Sequence, residues 1–229
     1  MEQVVKLGRV RVEAVVVDAA QNDRVISEIG TLFRESRVPV FMADSQVFAD
    51  LCDTEQSQGV LAVCEIPTEM DVVGLSSLRD GFLLATDGIQ DPGNLGTLYR
   101  TAAWFGAVGI LLGAGTVDLF NPKVIRSTVG AIGVLPWLRL DLVEGLGFLR
   151  ESGWDVALLD VGDGAEELGR GVVAPKSVIV IGNEANGISA DLVNAGFRRV
   201  FIPGKSENVE SLNASVAGAV AMYRISSEG

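Results

Sequence analysis

The chain has 229 residues, 48% of them hydrophobic, with a formal net charge of -12 and no histidine. Such a length supports one substantial core or a small domain beside a medium one, and no apolar run reaches membrane-spanning length without a charge or a cluster of glycines. Without histidine, serine-histidine and cysteine-histidine catalysis are excluded, so proton chemistry falls to carboxylates, lysine, tyrosine, arginine or the substrate.

Cys52 and Cys64 are the only cysteines, at a spacing that suits neither a zinc site nor a disulfide framework, and they read as buried thiols. No metal is expected. The N-terminus begins with charged residues rather than a signal-peptide pattern, which predicts a cytoplasmic protein with no membrane association. The acidic balance opposes general nucleic-acid binding, because such binding draws on Lys and Arg releasing counterions, so any contact with a polyanion has to be local.

Residues 1–66 read as a small α/β unit. A helix is expected near Glu2 to Leu7, followed by a strand over Glu13 to Val17. Asp23 is a candidate cap for a helix whose buried stripe is Val25, Ile29, Leu32 and Phe33. Val40 to Met42 forms a second strand, Ser45 is positioned to cap a short helix ending near Leu51, and Gly59 to Cys64 forms a third strand. Residues 67–80 read as a linker, with a proline entry and no sustained period.

From residue 81 to 229, strands and helices alternate, which argues for a parallel sheet with crossover helices. Phe82 to Thr86 is an apolar strand, and Asp87-Gly88 and Pro92-Gly93 then break it. Asn94 is read as opening the next helix, its amide oxygen accepting from first-turn N–H groups. Leu95, Leu98, Ala102 and Phe105 recur at helical spacing, which leaves Arg100 pointing outward. Gly109 to Leu112 is a strand, and Asn121-Pro122 starts a helix expected to run from Val124 to Ile132. A strand over Leu135 to Leu140, a helix through Leu149 and a strand over Val156 to Leu159 follow. The acidic stretch Asp160 to Glu167 reads as a solvated loop, since clustering alone implies no ligand geometry.

Three segments share one design, an apolar strand running into a loop of small and polar residues and then a helix. The first surrounds Asp91 to Ala102. The second is Val178 to Ile188, with Gly182-Asn183-Glu184-Ala185-Asn186-Gly187 as its loop. The third runs from Val200-Phe201-Ile202-Pro203-Gly204 to Ser211-Leu212-Asn213-Ala214. In open parallel sheets, ligands sit outside the carboxyl ends of strands, so the three loops are expected to converge on one crevice. Taken alone, Gly182 and Gly187 read as turn glycines and Ile202, Pro203 and Leu212 as core aliphatics.

In this order the segments resemble motifs 1, 2 and 3 of the SpoU (TrmH-like) branch of the SPOUT RNA methyltransferases, over residues from about 80 to the C-terminus. The resemblance implies transfer of a methyl group from S-adenosylmethionine to a ribose 2'-hydroxyl of RNA, ribosomal rather than transfer RNA, by a homodimer. It implies an α/β fold whose C-terminal domain is a trefoil-knotted SPOUT domain with a parallel sheet. Such threading is an exception to ordinary chain topology. The phrase Gln58-Gly59-Val60-Leu61-Ala62-Val63 resembles the small ribosomal-protein-like substrate-binding domain that many members carry.

The resemblance also assigns residues. Asn94 and Arg100 from motif 1, Glu184 from motif 2, and Ser211 and Asn213 from motif 3 are the catalytic set. Gly182, Asn183, Gly187, Ile202, Pro203, Ser211 and Leu212 line the cofactor. Arg100 is the residue the family implies for catalysis: a guanidinium donates only, so it serves either as a base through proton relay by a substrate phosphate or as a clamp on a phosphate beside the target ribose. Charge complementarity suggests that Glu184 forms an ion pair that orients Arg100 or a neighbour.

Two departures from the family pattern are expected to matter, the segment Gly204 to Glu210, one residue longer than the usual spacing, and the charge of the N-terminal part, where the chain is also expected to lack the basic helical stretch that precedes the small domain in full-length relatives. Residues 1–70 hold Lys6, Arg9, Arg11, Arg24, Arg34 and Arg37 against twice as many acids, a poor general platform for RNA. These departures motivate an alternative, a non-catalytic relative that binds S-adenosylmethionine or RNA as a scaffold. Gly113-Ala114-Gly115 after a strand suggests a dinucleotide enzyme only weakly, since the third glycine and the following acid are misplaced.

Overall fold

The computed structural model describes residues 10–21, 23–34, 37–54, 57–76, 78, 80–169, 173–174, 176–205 and 211–227. The helix expected near Glu2 to Leu7 and most of the lengthened segment before Ser211 lie outside them. Residues 206–210 of the expected trefoil-knotted domain are also outside the described residues. The chain divides into two compact units, Met1–Pro67 and Thr68–Gly229.

In the first unit, β1 (Val12–Asp18), α1 (Asp23–Leu32), β2 (Val40–Ala43), α2 (Ser45–Leu51) and β3 (Val60–Cys64) follow in order. The sheet order is β2-β1-β3, with β2 parallel and β3 antiparallel to the central strand. Alternation in β1 sends Val15 and Val17 to one face, where they join Phe33 from the end of the α1 segment. Asp44, not Ser45, caps α2, its carboxylate accepting from the N–H groups of Gln46 and Val47. Ser45 instead donates its hydroxyl to Asp18 at 2.8 Å, tying the helix start to the end of β1.

The second unit begins with α3 (Val72–Ser76), inside the segment expected to be a linker. Leu75 is buried in the core of this unit and the Met70 N–H donates to the Trp137 carbonyl, so that stretch is folded onto the unit it precedes. Periodicity could not reveal a helix of barely one turn. The remaining elements are β4 (Gly81–Asp87), α4 (Pro92–Trp104), β5 (Gly109–Leu112), α5 (Pro122–Ser127), β6 (Trp137–Arg139), α6 (Leu142–Glu151), β7 (Asp155–Leu159), β8 (Glu166–Glu167), β9 (Lys176–Gly182), α7 (Ala190–Asn194), β10 (Arg198–Phe201) and α8 (Ala214–Ser226).

All pairings in the seven-stranded sheet are parallel, in the order β6-β5-β4-β9-β7-β10-β8. The central pair, β4 and β9, reads Phe-Leu-Leu-Ala-Thr and Ser-Val-Ile-Val-Ile-Gly, buried without interruption, as a strand covered on both faces requires. Their register ends on Asp87 opposite Gly182, so the first two motif loops leave the sheet side by side.

α5 stops at Ser127, well short of the expected Ile132. Thr128 still donates to the carbonyls of Val124 and Ile125, but Val129 has φ of 50° and Gly130 has φ of 88°, which ends the helix. On the other side of α4, a Cβ added at Gly218 of α8 would lie 2.3 Å from Leu98, so the two helices pack at closer than ordinary side-chain distance. Arg100 is exposed while Leu95, Leu98 and Ala102 are buried, as the helical spacing predicts.

Candidate active site

The first loop turns at Gly88, with φ of 70°, and buries Ile89 as its anchor. Asp91 then caps α4, accepting the Asn94 N–H at 2.8 Å, and Pro92 occupies the first helical position, where a missing N–H is harmless. This corrects the expectation that Asn94 opens the helix. Because Asp91 does the capping, the Asn94 side chain is released to reach across to the other two loops.

The second loop is a tight hairpin in which Asn183 and Gly187 exchange N–H to carbonyl bonds, both at 2.9 Å. The Asn183 amide oxygen accepts from Ala185 and Asn186, and its nitrogen donates to the Gly88 carbonyl at 2.7 Å. All of its polar atoms are therefore committed to shaping this loop and fastening it to the first. Gly182 is equally structural, since a Cβ there would lie 2.3 Å from the Gly187 carbonyl carbon. The Ser189 N–H donates to Asp87 at 2.7 Å and fixes the far end of the hairpin.

Glu184 projects from this hairpin onto the first loop. Its carboxylate accepts from the backbone N–H of Gln90 and of Asp91, each at 3.3 Å, and from the Asn94 amide at 2.9 Å. Partial burial works to raise its pKa, but the Asn94 bond and the backbone N–H groups outweigh that and hold it below the usual carboxylate range. Arg100 is not among these partners, so the expected Glu184–Arg100 ion pair is replaced by a bond to Asn94. The reason is position along α4: Asn94 lies in its first turn, whereas Arg100 is six residues further, about 9 Å along the axis.

The third segment closes the set. Asn213 caps α8, its amide oxygen accepting from the Ser215 N–H at 2.9 Å, the Ser215 hydroxyl at 2.7 Å and the Val216 N–H at 3.3 Å. Its amide nitrogen donates to the Asn94 amide oxygen at 3.1 Å. A chain of side chains thus runs from Glu184 through Asn94 to Asn213, joining all three loops.

Ser211 and Leu212 are exposed just before the cap, Ile202 is half-buried and Pro203 exposed after β10. An uncovered leucine, a half-covered isoleucine and the open flanks of Gly187 and Gly204 are the surfaces that an adenosine moiety would cover, so the residues present fit such a ligand. Sequence reasoning missed Asp91 and Asp87 as organisers of the site. The Asp-Pro pair carried the signal for the first, because the residue before a first-turn proline is the cap position.

Among the described residues no group of three His, Cys, Asp or Glu could hold a metal ion, and no helix is long and apolar enough to cross a membrane. In the acidic stretch, Asp160 pairs with Arg199 at 2.6 Å, and Glu166 and Glu167 form the two-residue β8.

Comparison with known families decides what this arrangement is. Residues 81–223 match the SpoU rRNA methylase family, and residues 3–70 match the RNA 2'-O ribose methyltransferase substrate-binding domain. The chain belongs to the SpoU rRNA methylase family. It is accordingly an S-adenosylmethionine-dependent RNA 2'-O-ribose methyltransferase.

Among SpoU relatives, it is 31% identical to the 23S rRNA (guanosine(2553)-2'-O)-methyltransferase RlmP of Bacillus subtilis, over 93% of this chain and 86% of that one. It is 29% identical to the 23S rRNA (adenosine(1067)-2'-O)-methyltransferase of Streptomyces laurentii, over 82% of this chain and 69% of the relative. In fold, it resembles the S-adenosylmethionine-bound rRNA methyltransferase of Sinorhizobium meliloti, with a TM-score of 0.83 at 21% identity, covering 98% of this chain and 84% of that one.

Proposed function

We propose that the protein methylates a ribose 2'-hydroxyl of ribosomal RNA in the cytoplasm, working as a homodimer with Arg100, Asn94, Glu184, Ser211 and Asn213 as its working residues. The observation that carries the assignment of residues is the Glu184–Asn94–Asn213 chain, which locks three strand-end loops into one constellation. Ribosomal RNA is supported by the relatives just named, which share most of the chain, and by the match of residues 3–70 to a substrate-binding domain.

S-adenosylmethionine supplies an electrophilic methyl carbon. On transfer of that methyl group to the ribose oxygen, with S-adenosylhomocysteine leaving, the hydroxyl proton would pass to a neighbouring phosphate or to water. Arg100, exposed on α4, holds a phosphate beside the target ribose with its fork of donors and so fixes the line of attack. The ionised Glu184 keeps the first loop and the start of α4 in place beneath it. Asn213 holds the third loop against the same point, and Ser211, Leu212, Ile202 and Pro203 face the adenosine. Asn183, Gly182 and Gly187 shape the hairpin, whose backbone rim would hold the donor.

Pairing of two copies is supported by one stripe of apolar surface. Val216, Val220 and Tyr223 lie on one side of α8, and Trp104 at the end of α4 is 83% exposed. Phe105 packs against Tyr223 with the rings tilted by 56° and their centroids 6.0 Å apart, which joins the two helix ends.

Ribose-methylation mapping by mass spectrometry, on ribosomal and transfer RNA from cells with and without the gene, tests the reading. One ribosomal 2'-O-methyl group is expected to vanish and to return with the intact gene. Loss of a transfer RNA methyl group instead would overturn the choice of substrate.

A further inference from the structure

A chain of net charge -12 can hold a polyanion only where cations are concentrated at its surface. In the unit from Thr68 onward, five of the described cations hold parts of the fold together. Arg139 donates to the carbonyls of Thr116 and Val117, and Arg150 to that of Ala195 while lying over the Phe197 ring. Lys176 donates to the Ser152 carbonyl, Arg198 pairs with Asp155 and Glu166, and Arg199 pairs with Asp160.

α5 gathers two cations on one open surface. It presents Lys123 and Arg126, both exposed, along a groove of about 570 Å³ that Ser127 also lines, with Asp91, Pro92 and Gly93 at the start of α4 as the facing wall. Asp91 is the one acid in that wall, and its carboxylate is occupied by the Asn94 N–H at 2.8 Å.

The groove lies next to the reacting centre. Gly93, Gly96 and Arg100 stand three and four residues apart, on one stripe of α4. A Cβ at Gly96 would lie 2.4 Å from Ser127 Cβ and 2.7 Å from the Val124 carbonyl oxygen, so α5 meets α4 backbone to backbone on that stripe. Arg100 is one helical turn beyond this contact, and the groove is one turn before it. Arg100 on α4 and the groove with Lys123 and Arg126 of α5 therefore stand one turn to either side of the Gly96 contact between the two helices.

We infer that Lys123 and Arg126 form a subsite for an RNA backbone phosphate, a neighbour in the strand of the phosphate that Arg100 grips. The inference rests on the RNA methyltransferase reading and extends it to how the strand is laid across the acidic surface. Lys123 supplies a mobile point charge and Arg126 a planar fork suited to two phosphate oxygens. Both are positioning residues, since they touch the strand and not the reacting atoms.

The test compares the unmodified protein with Lys123→Gln/Arg126→Gln. Fluorescence anisotropy follows binding of a labelled uridine oligonucleotide, and of a labelled ribosomal RNA fragment, from about 50 to about 200 mM salt. The double variant is expected to bind both roughly tenfold more weakly at the low end. Its slope of log affinity against log salt should be shallower by about 0.7 for each phosphate that is no longer neutralised.

In transfer assays the KM for RNA rises while kcat at saturating RNA and S-adenosylmethionine affinity hold. The charge-preserving Lys123→Arg/Arg126→Lys should restore binding. Unchanged affinity and slope would overturn the subsite, as would a parallel loss of S-adenosylmethionine affinity. If the double variant fails to fold, Lys123→Gln alone carries the same comparison with a smaller change in slope. Transfer of labelled methyl to ribosomal RNA by the unmodified protein is measured alongside; its absence would count against the function, whereas the salt slope speaks to the groove alone.

Discussion

Asn94 donates its side-chain amide to Glu184 at 2.9 Å across 90 positions of sequence, and the negative charge of an ionised Glu184 strengthens the bond. The folded carboxyl pKa lies below its ordinary value, so the stabilisation is complete above the unfolded pKa, about 4.3, and is lost as pH falls through the depressed folded value. Glu184→Gln removes the charge and with it this dependence. Urea unfolding at a series of pH values is expected to show the unmodified protein more stable than the variant near neutrality, with the gap closing in acid. A gap independent of pH would mean that the carboxylate's charge is not what holds the loops.

Arg100→Ala is expected to abolish methyl transfer to RNA while leaving S-adenosylmethionine binding nearly intact, because the residue is exposed and lies outside the Glu184–Asn94–Asn213 chain. Calorimetry of donor binding beside a labelled-methyl assay separates the two. Equal loss of both would place Arg100 in the donor pocket instead.

Tyr99, adjacent to Arg100 and about 100° around the helix from it, is fully buried. Its hydroxyl donates to the Leu135 carbonyl at 3.0 Å and accepts the Leu135 N–H at 2.8 Å, which pins α4 to the segment before β6. Tyr99→Phe leaves both backbone groups of Leu135 without that partner. A loss of about 1–3 kcal/mol in unfolding free energy is expected, with an unchanged denaturant slope.

The sheet and the outward face of α4 were legible because they depend on local patterns: unbroken apolar runs at Phe82 to Thr86 and Val178 to Ile181, and a helical stripe at Leu95, Leu98 and Ala102. The partner of Glu184 was not legible. It depends on β4 lying beside β9, which sets Asp87 against Gly182, and on Asp91 taking the cap and freeing Asn94. Strand adjacency across more than 90 residues is a tertiary property that no local period encodes. The early end of α5 was hidden for a related reason, since the valine at 129 carries no sequence signal for a positive φ.

That residue gives a prediction of its own. Val129 is β-branched and exposed at φ of 50°, a conformation that disfavours branching at Cβ. Val129→Asn keeps the turn with a residue that tolerates it. The variant is expected to gain about 1 kcal/mol, which for a domain of this size raises Tm by roughly 2–4 °C. Scanning calorimetry would show it, and a lowered Tm would mean that the valine side chain makes a contact worth more than the strain.

The apolar stripe on α8 offers the sharpest check on pairing. Val220 is exposed on the same face as Val216 and Tyr223, and the opposite face of the helix is buried through Gly218, Ala221, Met222 and Ile225. An aspartate at 220 therefore leaves the fold of one copy intact but places a charge in the middle of any surface that two copies share. Val220→Asp is expected to convert a dimer into a monomer by light scattering with little change in monomer helicity. Because the site loops join α8 at Asn213, two turns from Val220, methyl transfer should fall with dissociation and recover at high protein concentration. A variant that stays dimeric would move the interface elsewhere, and a monomer with full activity would show that each copy completes its own site.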